Sequence, residues 1–262
     1  MKIVVLVKQV PDSTEIRVDK ETGTLIRAGV PSIINPDDLA GVEEALKLKE
    51  STGATVTIVS MGPPQATEML KELYARGVDE CVLITDRKFA GADTCATSST
   101  LAAALKKLGF DLIIAGRQAI DGDTAQVGPQ TAERLDIPQV TYVDEIRAIN
   151  DTTITVKKAL EDSEEIIEAK LPVVLTTLSG MNTPRYMNCN DIVDSMEKEV
   201  TIWTFDDLGI DESKVGLAGS PTKVHHTFTK DVSAETETFT LPADEAAKLI
   251  AKTLKEKQLI TK

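Results

Sequence analysis

Between Lys2 and Lys8 the chain reads KIVVLVK, an apolar and mostly β-branched run with no polar position inside it. A strand with one wet face alternates polar and apolar residues, so an unbroken run of this length predicts a strand covered on both faces of a parallel sheet. Runs of the same kind recur at Ala54 to Ser60 (ATVTIVS), Glu80 to Thr85 (ECVLIT), Asp111 to Ala115 (DLIIA) and Pro172 to Thr177 (PVVLTT). Between them the spacing of apolar residues becomes helical. Asp38 to Glu50 puts Leu39, Val42, Ala45, Leu46 and Lys49 on one face, and Pro64 to Ala75 and Thr97 to Leu108 behave likewise. Strand and helix in alternation predict an α/β fold with a doubly wound, mostly parallel sheet.

The pattern changes twice further on. From Val140 to Ala169 it breaks into short alternating pieces, Thr153 to Lys157 and Glu165 to Glu168, which predict an antiparallel edge extension. From Asp206 to Thr229 it loses any period and is rich in Gly, Pro, Asp, Ser and Lys, as surface loops are. A helical repeat returns over Leu241 to Leu259, with Ala246, Leu249, Ile250 and Leu254 on one side. The expected organisation is a main α/β domain over 1–200, a loop-rich connection over 201–234, and a C-terminal helical arm over 235–262 that is free to pack on another chain.

Composition narrows the partners. A formal charge of -13 over 262 residues opposes contact with nucleic acid or with an anionic membrane surface, and 3% aromatic residues leave few platforms for stacking on single strands. The opening apolar run ends at Lys8, too early for a membrane span or a secretory h-region, so no direct membrane insertion is expected. Cys81, Cys95 and Cys189 are odd in number and far apart, which fits free thiols in the cytoplasm.

In open α/β sheets ligands bind beyond the carboxyl ends of the strands. The most informative stretch there is Ala115 to Ala132, AGRQAIDGDTAQVGPQTA. Gly116 permits a turn where the strand ends, and a helix is expected to start near Gly128 or Pro129. A helix amino terminus offers unpaired N–H groups and partial positive charge, so a phosphate fits there, and glycines at 122 and 128 allow close approach. A polar connecting loop whose aspartates serve as turn and capping groups explains the same residues, and spacing alone leaves both readings open. Asn35, Pro36, Asp37 and Asp38 (NPDD) read first as a helix start, with either aspartate as its cap, and only second as the lining of a purine or ribose site. The exit of the first strand, KQVPDSTE, contains neither GxGxxG nor GxxxxGKS/T. His225 and His226 point to opposite faces of an extended segment, so no metal pair is expected, and no GxSxG elbow marks a hydrolytic triad. No catalytic acid or base is expected.

Taken in order, VLVKQVPD with IRVD, INPDD leading into GVEEALKLKE, VSMGPPQATEMLKELYARGVD, AGRQAIDGDTAQVGPQTAERLDIPQVTYV, VKKALEDSEEIIEAKLPVVLTT and SGMNTPRYMN resemble the electron-transfer flavoprotein beta subunit over nearly the whole chain. The resemblance implies a Rossmann-like, adenine-nucleotide-binding sheet and a nucleotide site. By motif position its lining would be Leu6, Asn35, Pro36, Asp37, Asp38, Met61 and the loop Gly116, Arg117, Gln118, Ala119, Ile120, Asp121, Gly122, Asp123, Thr124, Ala125, Gln126 and Val127. Simple family members hold AMP there and electron-bifurcating ones a second FAD. The resemblance also implies an alpha subunit carrying the other FAD, with the last helix of this chain as an arm reaching over to it.

The chain departs from the simple members at several of these positions. Where they tend to read DDDCNQTG, this chain has Asp121-Gly122-Asp123-Thr124-Ala125-Gln126-Val127-Gly128, smaller residues that leave room for a diphosphate and a flavin. Asp37 stands at a usually aromatic position, and Cys189 stands at or near the leucine anchor that docks acyl-CoA dehydrogenases. Three functions follow as expectations. The first is a bifurcating subunit taking electrons from NADH to ferredoxin or flavodoxin and, through alpha, to a flavin-containing acyl-CoA dehydrogenase. The second is a subunit holding AMP as a structural ligand. The third, an adenylating or ATP-hydrolysing protein, lacks the SGGxDS-type loop it would need at the first strand, where QVPDST stands instead.

Overall fold

A computed structural model describes residues 1–12, 17–18, 25–26, 31–225 and 237–260. His226, Ile16 and Asp19 of the IRVD segment, and the expected boundary at 234/235 lie outside the described residues. The chain divides into two compact units, Met1–Thr227 and Phe228–Lys262.

In the first unit the strands are β1 (Lys2–Leu6), β2 (Gln9–Pro11), β3 (Arg17–Val18), β4 (Leu25–Ile26), β5 (Ser32–Ile34), β6 (Thr55–Met61), β7 (Glu80–Ile84), β8 (Leu112–Gly116), β9 (Gln139–Ile149), β10 (Thr153–Ala159), β11 (Glu164–Lys170), β12 (Val173–Thr177) and β13 (Thr201–Trp203). The helices are α1 (Pro36–Thr52), α2 (Ala66–Ala75), α3 (Thr94–Leu108), α4 (Val127–Leu135), α5 (Cys189–Glu197) and α6 (Phe205–Leu208). The main sheet runs β11-β10-β9-β12-β8-β1-β6-β7-β13. From β9 to β13 its neighbours pair in parallel, and β10 and β11 add the antiparallel edge.

The five apolar runs are the five central parallel strands. Alternate residues of each feed opposite layers, because successive side chains of a strand point to opposite faces. Ile3, Val5, Ile58, Leu83, Leu112 and Ile114 pack under α1 and α2 with Val42, Leu46, Leu70 and Leu73. Val4, Leu6, Val59, Ile84 and Ile113 pack under α3 and α4 with Leu101, Leu105 and Ala132. Each fully buried aliphatic side chain contributes about 1.5–3 kcal/mol by leaving water.

Beyond Ser179 the chain is more structured than its lost periodicity predicts. α5 is capped by Asn188, whose Oδ1 accepts from Asp191 N at 2.9 Å. β13 adds to the main sheet beside β7, and Leu208 and Val215 enter the core near Phe89. Elements this short cannot announce themselves by period, and tertiary contacts fix them instead. The second unit contains α7 (Ala243–Glu256), none of whose residues is buried. No helix among the described residues is long and apolar enough to cross a membrane.

Candidate functional site

β1 lies between β6 and β8. The chain leaves β1 toward β6 and β7 and later returns to β8 on the other side, so a crevice opens beyond the carboxyl ends at that reversal. A cleft of about 760 Å³ occupies it. One wall is apolar, from Leu6, Val59, Met61, Ile84, Phe89 and Leu101. The other is formed by Gly116 to Ala119 and Gly122 to Gly128 with Lys8, Asp93 and Thr94.

The NPDD turn is the hub behind that second wall. Asn35 is the residue before α1 but makes no side-chain cap; its Nδ2 donates to Gln118 O at 2.8 Å and its Oδ1 accepts from Ile120 N at 3.1 Å. Asp37 Oδ1 accepts from Ser179 N at 2.9 Å, and Asp37 O accepts from Thr177 Oγ1 at 3.0 Å, tying α1 to the exit of β12. Asp38 accepts from Lys8 N at 2.8 Å and Gly116 N at 3.0 Å, so one carboxylate staples the ends of β1 and β8. The aspartates therefore serve strand exits elsewhere in the sheet, in place of the capping role that sequence allowed. Burial pushes the Asp38 carboxyl up to about 7, against the pull of the Lys8 and Gly116 N–H groups and Asn35.

Gly116 is required by this closure, since a Cβ there would stand 2.1 Å from Asp38 Oδ1. Gly128 serves packing in the same way, since a Cβ there would stand 2.7 Å from Thr176 Cγ2 on β12. Gly122 differs: nothing among the described residues lies within 4 Å of a Cβ at that position, and it faces the cleft.

The loop that follows β8 is held in an unusual backbone. Asp123 (φ +50°) and Ala125 (φ +51°) are non-glycine residues in the left-handed region, a conformation costing roughly 1–2 kcal/mol for a residue such as Ala125. Gln126 returns to right-handed geometry at φ -106°, ψ -28°. Alternating hands of this kind turn successive N–H groups toward one point, the arrangement of an anion-binding nest. The N–H groups of Thr124, Ala125, Gln126, Val127 and Gly128 have no acceptor among the described residues. All five residues line the cleft, and the last two open α4. Arg117 lines it too, with its Nε buried, 3.4 Å from Asp37 Oδ2 and without a hydrogen-bond partner among the described residues.

Of the residues expected at the site, Leu6, Asp38, Met61, Gly116, Arg117, Gln118, Ala119, Gly122, Asp123, Thr124, Ala125, Gln126 and Val127 come together around this cleft. Asn35, Pro36, Asp37, Ile120 and Asp121 stand outside its lining; Asn35 anchors the loop at Gln118 and Ile120, and Asp37 ties α1 to Ser179. Sequence reading missed Lys8 and the segment Asp86 to Thr94, which follows β7. The same carboxyl-end rule that selected the other loops applies to that segment, and Asp93, an N-cap accepting from Ala96 N at 3.0 Å, signals the helix start beside it.

Residues 22–208 match the electron transfer flavoprotein domain family. The electron transfer flavoprotein subunit beta of Clostridium acetobutylicum is 55% identical over 260 residues, covering 99% of this chain and 100% of that protein. The protein of the same description from Thermoanaerobacterium thermosaccharolyticum is 52% identical, with 99% and 100% covered. The caffeyl-CoA reductase-Etf complex subunit CarD of Acetobacterium woodii is 49% identical at the same coverage. With the domain match spanning most of the chain and these relatives aligned end to end, this chain belongs to the electron transfer flavoprotein family as a subunit of the beta type.

Proposed function

We propose that this chain is the nucleotide-holding half of a heterodimer with an alpha subunit, and that its cleft takes FAD. The observation that carries this reading is the row of N–H groups from Thr124 to Gly128, which reaches the cleft without an acceptor among the described residues. Unsatisfied donors beside a helix amino terminus are a diphosphate's natural seat. The volume of about 760 Å³ lies in the upper part of the usual range for small-molecule sites, roughly 300–1,000 Å³, and favours a dinucleotide over AMP. Open space at Gly122 and the apolar wall of Leu6, Met61, Ile84 and Phe89 suit a large planar ring. These residues fit the cofactor that the family description implies.

When bound, the flavin supplies the redox chemistry. The chain's own part is to seat the phosphates on the 124–128 amides, set Arg117 beside them, and cover the ring with apolar side chains. No protein acid or base is needed. In the two-subunit complex, NADH is the donor and the electrons divide, one to ferredoxin or flavodoxin and one through alpha to an acyl-CoA dehydrogenase-type flavoprotein. Support for the last partner comes from relatives described as belonging to a caffeyl-CoA reductase complex and, in Anaerotignum propionicum, as an acryloyl-CoA reductase electron transfer subunit at 47% identity. The nucleotide-binding region is residues 1–200, the arm that packs on alpha is residues 235–262, and the complex works in the cytoplasm.

The test is flavin and nucleotide extraction from the coexpressed complex, followed by anaerobic titration with NADH. Two FAD per heterodimer, both reduced by NADH, is the expected result. One FAD with one AMP would replace this reading by a structural AMP site, and a complex isolated without nucleotide in this chain would end it.

A further inference from the structure

The cleft presents an electrostatic problem. Among its described lining residues the cations are Lys8 and Arg117, against the carboxyls of Asp38, Asp86, Asp93 and Asp123. The chain as a whole carries -13. A phosphate-bearing ligand approaching the 124–128 amides meets this field, and another carboxylate, Asp121, on the same loop three residues before the first free donor.

Lys8 answers that carboxylate directly. Its Nζ lies 2.7 Å and 2.8 Å from the two Asp121 oxygens, a two-oxygen contact from the exit of β1 to the loop after β8. Its backbone is fixed independently: Lys8 N donates to Asp38 Oδ2 at 2.8 Å, and Lys8 O accepts from Asn35 N at 3.0 Å. The ammonium is thus delivered from a rigid base. The segment it reaches is already pinned by Asn35 at Gln118 and Ile120, so the ion pair adds little that is needed for the loop's shape. What it changes is the charge beside the amides.

We infer that Lys8 is a charge-balancing residue of the cleft, neutralising Asp121 so that the amides of Thr124 to Gly128 can hold a phosphate-bearing ligand. This rests on reading the cleft as a nucleotide site. Lys8 is a positioning residue in this scheme, acting through Asp121 and not as a ligand of the phosphate.

The experiment is FAD titration into the nucleotide-stripped complex of the full chain with its partner subunit, at low and high KCl. Lys8→Met is expected to weaken FAD binding about tenfold at low salt, with the deficit shrinking at high salt as the exposed carboxylate is screened. Asp121→Asn alone is expected to bind at least as tightly as the original chain, and Lys8→Met combined with Asp121→Asn to return to within about threefold of it. A double variant as weak as Lys8→Met would make Lys8 a direct ligand and overturn the inference. Unchanged affinity in Lys8→Met, or a loss in Asp121→Asn, would also overturn it, and the latter arm holds even if Lys8→Met does not fold. Failure of the underlying nucleotide reading shows separately, as absence of FAD binding by the unsubstituted complex.

Discussion

α1 and α7 reverse the usual relation between pattern and burial. α1 buries four carboxylates, Asp37, Asp38, Glu43 and Glu44, beside its apolar residues, whereas α7 segregates Ala246, Leu249, Ile250 and Leu254 onto one side and buries none of its residues. The difference lies in partners outside each helix. Every buried acid of α1 has one: Ser179 N for Asp37, Lys8 N and Gly116 N for Asp38, Arg185 N, Nε and Nη2 for Glu43, and Asn182 Nδ2 for Glu44. A charge can be buried at tolerable cost only when paired and hydrogen-bonded. An apolar stripe states what a helix is able to cover, and whether it is covered depends on a surface supplied elsewhere.

The comparison breaks most severely at Gly116. Replacing it by Val puts a side chain where Asp38 Oδ1 would be 2.1 Å from the new Cβ, and the Asp38 backbone N and Asp37 Cβ crowd the same point. Gly116→Val is expected to cost about 3 kcal/mol, read as a lowered urea midpoint at constant slope, because α1 must move off β8. A loss below about 1 kcal/mol would mean that the hub yields easily and that its acids are not tightly held.

Asp38→Asn gives an effect that depends on pH. Burial raises the carboxyl from its ordinary value of 3.8 to about 7 in the fold. The folded chain therefore keeps a proton that the unfolded chain releases between those values. The stability this group contributes is fully present below about pH 3.8 and is lost as pH rises through about 7, with a slope approaching about 1.4 kcal/mol per unit. Asn does not titrate, so the stability of the original chain minus that of Asp38→Asn should fall across this window and level off above it. A difference that rises with pH would show that the Lys8 and Gly116 amides outweigh burial and hold the carboxylate ionised.

The sequence made the frame of this molecule legible because the central strands are covered on both faces: KIVVLVK and DLIIA have no polar residue inside the run to confuse the reading, and they became β1 and β8. The loop after β8 was legible as a location, through Gly116 and the expected helix start, but not as a conformation. Nothing in the letters D-T-A announces that Asp123 and Ala125 adopt positive φ, since Ala favours the opposite hand. The role of NPDD was hidden for another reason. Asn-Pro-Asp-Asp is also a good helix start, and only the sheet order reveals that its side chains reach three different strand exits. Lys8 was hidden similarly, because its partner lies 113 residues away.

The smallest expected effect on the chain alone belongs to α7, and it tests the other half of the comparison. Ile250 is 60% exposed, so putting a charge there removes little buried apolar area. Ile250→Asp should shift the stability of the isolated chain by less than about 0.5 kcal/mol, the usual range for surface changes away from caps and special backbone. If the stripe is covered by the alpha subunit, the same substitution buries an unpaired carboxylate in the interface, and recovery of the heterodimer by copurification should drop sharply. An isolated chain that melts several degrees lower would place the stripe's cover within this chain, and an intact heterodimer would leave the stripe without a partner in that complex. The two readouts separate what a helix face is able to bury from what actually buries it, the distinction that α1 already makes from the opposite side.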